Sequence, residues 1–257
     1  MELVQVNGVK LEVERIAPAH QIGLAPIMFL HEGLGSVAMW RDWPGRVCRA
    51  TGRPGIVYSR RGYGASDGVP DVRGAGRLKA DYMHVEALQV LPELLDRLGI
   101  ERPVLLGHSD GGTIALLHAS ERPVTACIVM APHVIVEEES IASIKQAAAT
   151  FEGGPLRERL KKFHADVDVA FWQWNDVWLS TAFRDFDIRN ACRRIAAPVL
   201  AMQGVDDAYG TLRQIDEIAP TAGPFRKEVL QSCGHSPHRD QPELTCSLIT
   251  EFLSPLP

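Results

Sequence analysis

The chain contains no apolar run approaching the roughly 20 residues that a membrane-crossing helix needs, so a helical span is excluded from the reading. Cysteine is sparse. Cys48, Cys127, Cys192, Cys233 and Cys246 are odd in number, widely separated and free of any C-x-x-C pair. That pattern argues against a disulfide frame or a structural zinc, and for a reducing compartment. Charge of one sign is also lacking: the net value is −5 over 257 residues, which offers no footing for nucleic acid or an anionic membrane. No repeat or low-complexity tract interrupts the chain. Met1 to Val6 has no charged start followed by an apolar core and a small-residue cleavage site. A cytoplasmic location is therefore the expectation. Hydrophobic content of 46% is that of an ordinary globule, and the length suits one well-buried α/β domain.

The most informative stretch is Gly107-His108-Ser109-Asp110-Gly111-Gly112. Pro103 to Leu106 enters it as a short apolar strand, and Thr113 to His118 leaves it as a helix. A serine between two glycines on a strand-to-helix turn is a nucleophile elbow: the turn is tight, and small neighbours let the chain pack close. The amides that follow lie at a helix N-terminus and favour negative charge.

A serine hydroxyl needs a base, and the base needs an orienting acid. Pro198 to Gly204 reads as a buried strand, followed by Val205-Asp206-Asp207. Lys227 to Leu230 reads as another, followed by Ser232-Cys233-Gly234-His235-Ser236-Pro237 and a last helix from Pro242 to Leu253. The order is Ser, Asp, His, each on a loop after a strand. A Cys233–His235 nucleophilic pair is disfavoured, because Cys233 lacks the elbow context.

On these motifs the chain resembles the α/β-hydrolase superfamily nearly end to end. The family's oxyanion loop is matched by His31-Glu32-Gly33-Leu34-Gly35-Ser36, after the strand Pro26 to Leu30. Its R-G-x-G-x-S segment is matched by Arg61-Gly62-Tyr63-Gly64-Ala65-Ser66, after the strand Gly55 to Ser59. Glu32 stands where the family usually has glycine. The resemblance implies an α/β-hydrolase fold: a mostly parallel central sheet flanked by helices, with a helical cap inserted. It implies Ser109 as nucleophile, His235 as base and Asp207 as acid, since the family spacing selects Asp207 over Asp206. The oxyanion donors would be the amides of Gly33, with Leu34 as the fallback, and of Asp110.

The chain divides accordingly into a core at 1–132, a helical insertion at 133–192 and a second core part at 193–257. Met1 to Val6 and Val9 to Val13 read as a hairpin turning at Asn7-Gly8. Asp81 to Leu98 reads as a long helix, and Ala126 to Met130 as a strand. The insertion shows helical patterns over 141–151, 155–164 and 167–180. Its aromatics Phe171, Trp172, Trp174, Trp178 and Phe183 serve either to bury the cap or to line a pocket. Leu34, Trp172, Trp174 and Trp178 are the candidate substrate contacts.

The Asp110 carboxylate either caps its helix or pairs with a cationic substrate group. Tyr209 either meets substrate or caps a helix. His31 is read as a brace of the oxyanion loop, His108 as packing beside the sheet, and Arg60 and Arg61 as loop anchors. His238 lacks the register of His235. The activity implied is hydrolysis of a small carboxylic ester or lactone, with no metal or organic cofactor. A homodimer is compatible with it. Carbon–carbon bond hydrolysis with the same residues, and a non-catalytic binding protein on this fold, are the alternatives.

Overall fold

The computed structural model describes residues 1–17, 23–219 and 221–257. Eight strands form one sheet: β1 (Glu2–Val6), β2 (Val9–Ile16), β3 (Ile27–Leu30), β4 (Gly55–Tyr58), β5 (Val104–His108), β6 (Ala126–Met130), β7 (Val199–Gly204) and β8 (Phe225–Leu230). Their order is β1-β2-β4-β3-β5-β6-β7-β8. The first two pairings are antiparallel and the rest parallel. This is the α/β-hydrolase fold.

Side chains on a strand alternate between faces, so each central strand feeds two cores. Met28, Leu30, Leu105, Cys127, Val129 and Ala201 point to the face covered by the elbow helix Asp110–Glu121 and residues of 82–98. Ile27, Phe29, Leu106, Ile128, Leu200 and Met202 point to the other, against the helices Trp43–Thr51 and Pro242–Leu253. Burial on both faces explains why these strands read as continuous apolar runs.

The hairpin turns at Asn7 (φ 48°) and Gly8 (φ 82°), both left-handed as a two-residue turn of this type requires. β2 runs on to Ile16 and β8 starts at Phe225, beyond the predicted bounds. The long helix over 82–98 carries a π turn at Glu86–Val90 before resuming at Leu91–Leu98. Pro92 explains it: the residue has no N–H to donate, and its ring crowds the carbonyl one turn back, so the coil widens there.

Residues 133–192 contain the helices Glu138–Phe151, Pro155–Leu160 and Val167–Trp178. The last is started by Asp166, whose carboxylate accepts from the amides of Asp168 and Val169, both at 3.0 Å. Their extended pairing is limited to an isolated bridge between Ile135 and Asp187. No helix is long and apolar enough to cross a membrane among the described residues.

Candidate active site

Ser109 sits at φ 52°, ψ −120°, a strained conformation for a residue with a Cβ. Two bonds hold it there. Its amide donates to the Met130 carbonyl at 2.9 Å, and its carbonyl accepts from Thr113 N at 3.0 Å. Any side chain at Gly111 would overlap the Leu30 carbonyl, so the elbow can nest against β3 only with glycine in that place.

β7 ends in the loop carrying Asp206 and Asp207, and β8 in the loop carrying His235. The two loops are stitched together by Val205 N to Leu230 O (3.0 Å) and Asp206 N to Cys233 O (2.9 Å). His235 Nδ1–H donates to both oxygens of Asp207 at 2.9 Å. The Asp207 side chain is 1% exposed, while Asp206 is at the surface. Asp207 also accepts from Tyr209 N (2.8 Å) and Gln203 Nε2 (3.1 Å). Burial pushes this carboxyl up, but the bond and charge of His235, with the Tyr209 amide, hold it below the usual carboxylate range. The imidazole is thereby fixed with its proton on Nδ1 and a lone pair on Nε2. Ser109 Oγ and His235 Nε2 have no protein hydrogen-bond partner among the described residues.

The His31–Gly35 turn closes through Gly35 N to Glu32 O at 3.0 Å. Burial and the nearby Arg60 charge push His31 well below its ordinary range, so it is neutral. It donates from Nδ1 to Glu32 O (2.6 Å) and accepts Arg60 N at Nε2 (3.0 Å). Buried Arg60 donates to the carbonyls of His31 (2.7 Å) and Glu32 (3.1 Å), anchoring this loop. The amides of Gly33 and Asp110 donate to no protein acceptor among the described residues. The Trp174 indole lies directly over Gly33, where even a methyl group would overlap it. Leu34 is half-buried beside it, its carbonyl accepting from His164 Nε2 at 3.0 Å.

Glu32 departs from the family pattern for a visible reason. Its carboxylate bonds Arg239 at 3.1 Å and approaches His108 Nδ1 at 3.5 Å. Burial opposes ionisation, but His108 and Arg239 hold Glu32 well below the carboxylate range. His108 Nε2–H in turn donates to the His235 carbonyl at 2.7 Å. The Arg239–Glu32 bond thus ties the turn holding Gly33 to the helical turn just after His235, and His108 Nε2–H separately holds the His235 carbonyl.

The Asp110 carboxylate does not cap its helix. It accepts from Tyr82 OH at 2.6 Å and Trp178 Nε1 at 3.3 Å, with Arg60 Nη2 at 3.7 Å, and from no backbone amide among the described residues. Burial raises its pKa, with Arg60 opposing. Trp178 packs its ring edge-on to His133 at 4.8 Å, and His133 lies 5.8 Å from His235. Trp172 is set apart, stacked under the Arg73 guanidinium at 3.9 Å and packed on Phe151 and Phe171. Tyr209 packs at a tilt against the His235 ring, centroids 4.8 Å apart.

His238 is buried between Trp40 and Trp43, with neither ring nitrogen hydrogen-bonded. Burial pushes it well below its ordinary range, and it packs rather than titrates. Cys233 is buried and its thiol pushed up to about 11 by burial; its sulfur contacts Gly234 O at 3.6 Å and makes no bond with His235. No group of three or more His, Cys, Asp or Glu side chains is arranged to hold a metal among the described residues. Sequence reasoning missed Tyr82 and His133. For His133 a signal existed: it follows the carboxyl end of β6, where the site loops gather.

The arrangement can therefore supply a hydroxyl on a strained turn, an oriented imidazole and two unpaired amides. The model of the α/β-hydrolase family matches residues 27–248. RutD of Klebsiella pneumoniae, provisionally named a carbamate hydrolase, is 27% identical over 216 residues, 75% of this chain and 77% of its own length. An esterase from Thermogutta terrifontis superposes with a TM-score of 0.74 at 20% identity, covering 99% of each chain. The enol-lactonase from Burkholderia xenovorans gives 0.75 at 18% identity, over 98% of this chain and 100% of its own. The chain belongs to the α/β-hydrolase family.

Proposed function

We propose that this protein is a serine hydrolase that cleaves a carboxylic ester or lactone through an acyl-enzyme on Ser109. The observation that carries the reading is the paired bond from His235 Nδ1 to both oxygens of buried Asp207. It leaves Nε2 as the one imidazole nitrogen able to take a proton. Ser109 Oγ attacks the carbonyl carbon as its proton passes to His235 Nε2. The oxyanion is held by the amides of Gly33 and Asp110, each such donor contributing about 3 kcal/mol in comparable sites. Collapse breaks the bond to the leaving oxygen, which takes the proton from His235. Water then attacks the acyl-enzyme, giving its proton to the same nitrogen, and collapse breaks the bond to Ser109 Oγ, which takes that proton as the acid leaves. Residues 133–192 act as the cap, with Trp174 and Trp178 excluding water above the oxyanion donors.

The test is hydrolysis of p-nitrophenyl esters from acetate to octanoate by the native protein and by Ser109→Ala. Turnover that vanishes in a variant with an unchanged melting curve supports the reading. Native protein that turns over none of these esters yet is labelled at Ser109 by a fluorophosphonate would move the assignment to lactone or carbon–carbon substrates. Failure of both turnover and labelling would overturn it.

A further inference from the structure

A cavity of about 440 Å³ opens between the β1–β2 hairpin, the loop after β4 and the helix starting at Tyr82. None of Ser109, Asp207 and His235 lines it. Its wall is largely apolar, with Leu11, Val69 and Val85 facing in. Polar side chains interrupt that wall, Arg60, Tyr63 and Glu86 among them. Two of them are incomplete. Tyr63 OH and Glu86 Oε2 are buried without a hydrogen-bond partner. An unmet buried polar atom costs about 1–3 kcal/mol, and a ligand in this cavity that bonds these two recovers that cost. Burial pushes the Glu86 carboxyl up to about 7, with Arg60 opposing, so near neutrality about half of it carries a proton to donate. The mouth is cationic, with Arg61, Arg77 and Lys79 against Asp81. Arg77 is engaged by Asp176 at 3.2 Å, whereas Lys79 has no ion pair among the described residues.

We propose that this cavity is a second ligand site, separate from the serine, for a small monocarboxylate carrying an apolar tail. The tail fills the space between Leu11, Val69 and Val85. The carboxylate accepts from Tyr63 OH and the Glu86 carboxyl and faces the cationic mouth. A cationic head is opposed by Lys79 and Arg77, and a neutral one gains little from them. The site goes beyond the hydrolase reading and does not depend on it.

The probes are 4-bromobenzoate, 4-bromobenzylamine and 4-bromobenzyl alcohol, which share a ring and differ in the charge of the head. Calorimetric titration into the full chain should give binding of the benzoate at least ten-fold tighter than of the alcohol, and least for the amine. Tyr63→Phe, which removes one oxygen, and Lys79→Glu at the exposed mouth should each weaken the benzoate at least five-fold. Anomalous scattering from the bromine in a soaked crystal should place it in this cavity. Equal affinity for the three heads, bromine beside Ser109 only, binding at crystal concentration only, or a cavity holding just water would overturn the proposal. Ester turnover remains a separate readout, so this site can fail while the hydrolase reading stands.

Discussion

Replacing Asp207 by asparagine probes the candidate site at its best-defined contact. Oδ1 accepts from Tyr209 N and Oδ2 from Gln203 Nε2, while both accept from His235 Nδ1. An amide keeps only one acceptor oxygen. Whichever way it turns, its NH2 group faces a donor, at Tyr209 or at Gln203, and also faces Nδ1–H. The imidazole relieves part of that conflict by moving its proton to Nε2, the nitrogen that must accept from Ser109. The expected loss is about 10⁴-fold in kcat, as in other serine triads so altered, or about 5.5 kcal/mol of barrier. Stability should fall by only about 1–3 kcal/mol, the cost of one mismatched buried donor. The assay is stopped-flow release of p-nitrophenol beside a thermal melt, with Asp206→Asn as control. Asp206 is exposed and makes no contact with His235, so its variant should keep native kcat. An Asp207→Asn protein retaining more than a tenth of its activity, or an Asp206→Asn protein losing as much, would refute the assignment.

Further outcomes follow from the packing around the site. Gly33→Ala drives a methyl group into the Trp174 indole, and ester turnover should fall about 100-fold as one oxyanion donor is displaced; an unchanged kcat would remove Gly33 from that role. Trp178→Phe deprives Tyr82 OH and Asp110 of an indole donor and should cost about 2–3 kcal/mol in denaturant unfolding. Trp172→Ala, which loses the Arg73 stack, should cost about 1 kcal/mol for the cation–π contact plus its packing, with no change in ester chain-length preference. His133 has its pKa pushed down to about 3 by burial and the charge of His235, Asp207 opposing. Its unfolded form takes a proton below about pH 6.5, so its contribution is whole above that value and lost as pH falls. At pH 5 the loss is about 2 kcal/mol. Glu86, raised to about 7 by burial, changes stability in the opposite sense on falling pH. The test is therefore the difference between native and His133→Gln unfolding curves at pH 7 and 5, which should narrow by that amount.

What could be read in advance was whatever local chemistry dictates. The Asn7-Gly8 turn needs two left-handed residues, and the composition announces it. The elbow is likewise local, because its strain and close approach are met by Gly107 and Gly111 flanking Ser109. Buried parallel strands betray themselves as apolar runs, and Asp207 follows one of them, β7; His235 follows β8, whose mixture of apolar and charged residues marks a half-covered strand. Contacts between distant segments were not readable. Tyr82 reaches Asp110 across 28 positions and Glu32 reaches Arg239 across 207. Each is one polar residue in a stretch whose pattern reports only on its own element. Glu32 shows the limit most clearly. It stands where the family usually has glycine, and folded it joins two distant segments. The π turn at Glu86–Val90 was hidden for a related reason, since apolar spacing marks the helix face but not one added residue in its winding.

The position of β8 has a consequence for how this molecule fails. β5, which presents Ser109, lies between β3 and β6 with every residue buried. β8, whose following loop carries His235, is an outermost strand, paired with β7 alone among the described residues and half-covered along most of its length. Amide hydrogens on such a rim exchange with solvent through small openings, while those at the middle wait for the whole sheet to come apart. If Ser109 and His235 work together as proposed, warming is expected to withdraw the imidazole from the serine while the rest of the sheet is still intact. Loss of activity should be reversible at first and precede any change in far-ultraviolet ellipticity, and a bond anchoring Phe225–Leu230 more firmly would lengthen working life without touching the core.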